Sequence, residues 1–172
     1  MASMTQVPDP AADSASCAGG HRHHAFDVAA GLLEAERVCT AAGESLTPLR
    51  RDVMELLLRA HGPAKAYDLL QALTAGAAKP PTIYRALEFL QRMGLAHRIE
   101  SLNAFIACGI GACAKNAGFL ICTACGWAEE LLADPVNAAL EGAASERGFR
   151  IAGAVIEARG LCRDCAPSVA TK

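Results

Sequence analysis

Aromatic side chains are scarce in this chain: 5% of its residues, against 52% that are hydrophobic. The apolar surface is therefore carried mainly by Ala and Leu, which favours helices over a large β-sandwich. The N-terminus lacks a charged segment followed by an apolar run, so no signal peptide is expected. No window of about 18 apolar residues exists, so a membrane-spanning helix is not expected either. No catalytic triad, phosphate-binding loop or paired acid/base set appears, which argues against an enzyme with a small-molecule substrate. A soluble cytoplasmic protein is the expectation. That compartment is reducing, so the eight cysteines argue for metal or redox chemistry rather than structural disulfides.

The 172 residues suffice for one domain or two small ones. Their net charge of −2 hides an asymmetry. Leu46 to Glu100 contain eight Lys/Arg and five Asp/Glu, a local +3, whereas residues 1–45 sum to −4 and residues 101–172 to −1. A mildly basic middle can touch phosphates, although +3 alone is a weak signal.

Residues 1–25 mix Ala, Ser, Pro, Gly and His and read as a flexible tail. From Phe26 to Ala42, Val28, Leu32, Leu33 and Val38 predict a helix ended by Gly43. In 46-LTPLRRDVMELLLRAHG-62, Thr47 suits an N-cap and Pro48 the first helical position, with Leu49, Val53, Leu56 and Leu57 on one face. A short helix from about Ala66 to Ala75 follows, and then a turn to Lys79. In 80-PPTIYRALEFLQRMG-94, Ile83, Leu87 and Leu90 mark a buried stripe and Gly94 a C-terminal cap. The segment 95-LAHRIESLNAFIAC-108 reads as two short strands around Ser101-Leu102-Asn103. Three helices and a hairpin are the order of a winged helix-turn-helix, whose third helix enters the DNA major groove. An ordinary helical domain is the plain alternative.

The second half predicts a β-α-β unit: a strand at Phe119–Cys122, a helix from Pro135 to Arg147 closed by Gly148, and a strand from Phe149 to Ala158. The fold class is thus α+β. Residues 26–102 form the winged-helix domain and 103–172 a small α/β domain.

Cys122-x-x-Cys125 and Cys162-x-x-Cys165 supply four thiolates from two turns. Zinc favours four soft tetrahedral ligands, and a closed four-thiolate shell is a structural site. The alternative is two unrelated turns, one of them a thiol-disulfide redox centre. A looser set gathers His97, Cys108, Cys113, Glu129 and Glu130, ordinary zinc ligands drawn from both halves. An ion there would fix the angle between the halves, a plausible switch. Cys17, His21, His23 and His24 form a third set in the tail, read as solvated, and Cys39 is expected to pack.

The strings 66-AYDLLQAL-73, 80-PPTIYRALEFL-90, 97-HRIES-101, 122-CTACG-126 and 155-VIEARGLCRDC-165 together resemble the ferric uptake regulator family, and within it the zinc uptake regulator branch. The resemblance covers Phe26 to Cys165. It implies a homodimeric repressor with a winged-helix domain and an α/β dimerisation domain. Zinc would close the dimer onto an A·T-rich palindromic operator in double-stranded DNA and shut off zinc-uptake genes. It implies two zinc ions per subunit. A structural ion would sit on Cys122, Cys125, Cys162 and Cys165, and a regulatory ion on His97, Cys108 and Glu130. The family's fourth regulatory ligand is a loop His, but residues 109–118 contain none. Cys113 is the expected replacement, with His23 or His24 from the tail as the alternative. Tyr67, Thr82, Tyr84 and Arg85 are the implied DNA contacts, with Arg50 and Arg51 on the backbone. A peroxide or other metal sensor of the same family would use the same cysteines.

Overall fold

The computed structural model describes residues 27–60, 62–73, 80–109 and 117–166. The expected tail, with His23 and His24, lies outside them, as do the turn before Lys79 and Cys113.

Helix α1 spans Val28–Ala41. It begins where the Asp27 carboxylate accepts from the N–H groups of Ala29 (3.0 Å) and Ala30 (3.1 Å), which otherwise have no partner in the first turn. Leu32, Ala35 and Cys39 are its buried stripe, so Cys39 packs as expected. Leu33 does not: it is 66% exposed. Helix α2 is Pro48–Arg59, with Pro48 at its start. Thr47 holds the extended cap conformation, but its side chain makes no cap hydrogen bond. Helix α3 is Ala66–Ala72, and α4 is Pro80–Arg92 with Gly94 at φ 72° behind it. That left-handed geometry is why glycine suits the helix end.

Strand β1 (Ala96–Ile99) pairs antiparallel with β2 (Ala104–Ala107), with His97 opposite Ile106. A 3-10 turn, Glu100–Leu102, and Asn103 at φ 47° connect them. Leu57, Ile83, Leu87, Phe89 and Leu90 centre the first core, and Phe105 and Ala107 of β2 belong to it. Strand β2 thus packs with the helices, although it follows the expected division at residue 102. The pairing with β1 and the mutual hydrogen bonds of Phe105 with Ala64, both 2.8 Å, hold it there.

The second half is a three-stranded sheet, order β4-β3-β5. Strand β3 is Ala117–Cys122, β4 is Ala128–Leu132 and β5 is Ile156–Gly160. Strands β3 and β4 are antiparallel, β3 and β5 parallel, and helix α5 (Asp134–Ser145) makes the crossover. Strand β4 is absent from the sequence reading because 127-WAEEL-131 shows no clean alternation. The expected strand from Phe149 begins only at Ile156, where its ladder with β3 starts opposite Gly118. One sheet face packs on the hairpin: Phe119, Ile121 and Ala128 meet Ile99, Leu102 and Ile106. Among the described residues, no helix is long and apolar enough to cross a membrane.

Candidate functional site

The two cysteine pairs meet because β3 and β5 run parallel. Cys122 stands opposite Gly160 in the ladder, so the turns that follow the two strands emerge at the same sheet end. Thr123 donates to the Gly160 carbonyl from its N–H (2.8 Å) and from its hydroxyl (3.1 Å), fixing one turn on the other. The sulfurs of Cys122, Cys125, Cys162 and Cys165 all lie within 4.8 Å of one another. Cys125 and Cys162 are 3.9 Å apart. A tetrahedral zinc with bonds of 2.3 Å requires sulfurs about 3.8 Å apart. Gly126, at φ 75°, closes the first turn.

Backbone donors already treat one sulfur as an anion. The Cys162 N–H points at Cys122 Sγ from 3.3 Å. Burial opposes ionisation of Cys122, but the N–H groups of Cys162, Cys125 and Ala124 outweigh it and bring the thiol down to about 6. Cys125 goes the other way, pushed up to about 11 by burial and by its neighbours Cys122 and Cys162. Four thiolates this close repel one another unless a cation sits among them.

A second cluster lies where hairpin and sheet meet. His97 comes from β1, Cys108 follows β2, and Glu130 comes from β4; their ligand atoms also lie within 4.8 Å of one another. His97 Nε2 is 2.9 Å from Glu130 Oε1, and Cys108 Sγ is 3.8 Å from the same oxygen. The Gly109 N–H donates to Glu130 Oε2 at 2.8 Å. The Phe119 ring meets the imidazole edge-on, 5.4 Å between centroids. Burial alone would lower the His97 pKa, but hydrogen bonds and charge from Cys108 and Glu130 raise it to about 9. Burial likewise favours a protonated Glu130, and the donors His97 and Gly109 instead hold its carboxyl below the usual carboxylate range. The same electron-rich surroundings that favour a positive imidazole would favour a bound cation. Glu129 is exposed and turns to the opposite sheet face, beside Leu120. Cys113, His23 and His24 lie outside the described residues.

The proposed DNA contacts divide. Tyr67 at the start of α3 is 65% exposed and Tyr84 on α4 is 51% exposed. Thr82 and Arg85 share the outward side of α4, opposite its buried stripe of Ile83, Leu87 and Leu90. Arg50 and Arg51, the expected backbone contacts, also make contacts within the chain. Arg50 lies 3.4 Å over the Phe89 ring and donates to the Ser45 carbonyl at 2.6 Å. Arg51 pairs with Glu36. Both packings depend on helices α1, α2 and α4 coming together, which a local reading of 49-LRRD-52 does not contain.

Sequence reasoning also missed Glu157. On β5, its two carboxylate oxygens accept from the N–H groups of Glu100 (2.6 Å) and Ser101 (3.1 Å), tying the sheet to the hairpin turn. The available signal was a lone carboxylate between apolar residues in 155-VIEA-158.

The chain is 38% identical over 137 residues to the zinc uptake regulation protein of Escherichia coli (strain K12), covering 78% of this chain and 80% of that protein. The Shigella flexneri protein of the same name gives the same figures. A solved zinc uptake regulator complexed with zinc and DNA superposes with a TM-score of 0.76 at 37% identity, over 81% of this chain and 95% of that one. Holo XcZur gives 0.73 at 41% identity, over 79% and 96%. The ferric uptake regulator family model matches residues 41–159, from the end of α1 through the last strand, and with the helix-hairpin-sheet order and the two ligand clusters above, the chain belongs to the ferric uptake regulator family.

Proposed function

We propose that this chain is a zinc-responsive transcriptional repressor, which binds operator DNA as a homodimer when zinc is bound and represses zinc-uptake genes. One observation carries the reading: the His97, Cys108 and Glu130 cluster joins the hairpin of a winged-helix half to the sheet of the other half. A cation there adds attraction across that junction and so favours one arrangement of the halves. Soft and imidazole ligands suit zinc better than the oxygen-rich shells preferred by manganese. The 38% identity to the E. coli zinc uptake regulation protein supports the same choice of metal.

The division of labour follows from the two donor sets. Cys122, Cys125, Cys162 and Cys165 would hold a structural zinc that clips the ends of β3 and β5. His97, Cys108 and Glu130 would hold the regulatory zinc, with Cys113 as the fourth ligand, or His23 or His24 in its place. Zinc supplies charge and tetrahedral geometry at both sites. The protein's own groups supply the rest: Phe119 orients the imidazole, and the Gly109 N–H fixes the carboxylate. Tyr67, Thr82, Tyr84 and Arg85 would face an A·T-rich palindromic duplex in the cytoplasm, with α4 in the major groove.

Elemental analysis of zinc per subunit tests this on wild type and Cys113→Ser, before and after mild chelation, with duplex binding followed in the same samples. Two zincs in wild type are expected, with one lost from the variant together with DNA binding. Two zincs and full binding in the variant would move the fourth ligand to the tail histidines. The absence of tightly held zinc would end the reading and favour a cysteine redox centre.

A further inference from the structure

We infer that Glu157 is a positioning residue which sets the angle of the winged-helix hairpin on the sheet through contacts that include no metal ligand. The inference rests on the regulatory reading above.

Register makes the case. Phe119 at the centre of β3 stands opposite Glu130 on β4 and opposite Glu157 on β5. Directly opposed residues share a sheet face, so Glu130, Phe119 and Glu157 form one cross-strand row. All three reach the hairpin. Glu130 takes His97 and the Gly109 N–H, at the end of the hairpin where β1 begins and β2 ends. Phe119 packs on the His97 ring. Glu157 takes the N–H groups of Glu100 and Ser101 at the opposite end, where the hairpin turns. Those two donors open the 3-10 turn Glu100–Leu102, where no preceding carbonyl of the turn can satisfy them.

The apolar packing of Ile99, Leu102 and Ile106 on the sheet has no fixed direction of its own, and a single carboxylate contact restrains only one end of the hairpin. Two contacts at opposite ends, with an aromatic ring between them, define its direction. The Glu130 end would change when a cation enters; the Glu157 end contains no second metal ligand within its bonds, since both its partners are backbone N–H groups. Glu157 therefore acts as the fixed arm against which the metal-sensitive arm moves the hairpin. Loss of the fixed arm should leave zinc binding intact and separate it from DNA binding.

The test uses the full chain as wild type, Glu157→Ala and Glu157→Gln. A duplex is first selected from a random pool by zinc-loaded wild type. Zinc per subunit, thermal midpoint and affinity for that duplex across a salt series are then measured for all three. Glu157→Ala is expected to keep the wild-type zinc content and bind the duplex at least tenfold more weakly, with an unchanged salt slope, because no phosphate contact is removed. Glu157→Gln, which keeps one acceptor oxygen, should recover part of that loss. Wild-type affinity in Glu157→Ala overturns the inference. So does loss of zinc along with DNA binding, which would make Glu157 part of the metal site or of the fold. If wild type selects no duplex, the regulatory reading fails instead. Hydrogen exchange then still decides the arm: zinc-dependent protection across 96–107 that persists in Glu157→Ala overturns it, and protection lost there upholds it.

Discussion

At the scale of single residues, helix α4 shows how one short segment serves two masters. Ile83, Ala86, Leu87 and Leu90 are buried, while Thr82, Tyr84 and Arg85 between them face outward. A guanidinium so placed can bond a guanine edge bidentately, worth about 1–3 kcal/mol of discrimination. Arg85→Ala should therefore weaken binding to a selected duplex by roughly 10- to 100-fold while zinc content stays at the wild-type value. Fluorescence anisotropy of labelled duplex reads the first and elemental analysis the second. An unchanged affinity would remove Arg85 from the DNA face. Arg50 gives the contrast: its cation lies over Phe89, so its removal acts on packing.

At the scale of elements, the helices were legible because their signals are local. Pro48 opens α2, Gly94 follows α4, and the apolar spacing of Ile83, Leu87 and Leu90 marks a buried stripe, all within one helix each. The CxxC pairs were legible for the same reason. Their meeting on one ion was expected from the spacing, but the means was not: Cys122 lies opposite Gly160 in a parallel ladder, 38 residues apart along the chain. Strand β4 was missed and β5 was drawn too long, since partners rather than propensity decide where those strands begin. The locality of α4 also makes a prediction about stability. Leu87 is fully buried in the helical core, so Leu87→Ala should destabilise the chain by about 2–5 kcal/mol. Zinc on the four cysteines should survive, because those ligands belong to the other half. Thermal unfolding followed by circular dichroism measures the first, and zinc analysis at low temperature the second. Zinc lost from the folded variant would mean that the sheet depends on the helical core.

At the scale of the whole molecule, the two halves differ in how much apolar surface they cover. Among the described residues, the helical half buries eighteen in one core, whereas the second core has four. No residue of α5 is buried. Val136 and Leu140 on that helix are 44% and 42% exposed, and Leu120 on the outer sheet face is 44% exposed. Phe149, Val155 and Leu161 are more exposed still. Apolar side chains concentrated on one half of a water-exposed protein mark a surface that associates. The homodimer proposed above supplies the occupant: a second copy of this chain, presenting the same apolar residues across a two-fold axis, would cover them. Charge placed in such a surface must be desolvated without a partner, which costs several kcal/mol. The double variant Val136→Asp and Leu140→Asp should therefore sediment as a monomer at concentrations where wild type is a dimer. It should also lose the concentration dependence of the melting midpoint that a dimer shows by mass action. Binding to a selected duplex should fall with it, because in the proposed homodimer two subunits would share one palindromic site. The four-cysteine zinc should remain, since its ligands lie beyond the ends of β3 and β5 rather than on α5. A double variant that stays dimeric would place the subunit contact elsewhere and leave the exposed residues of α5 without a role in assembly.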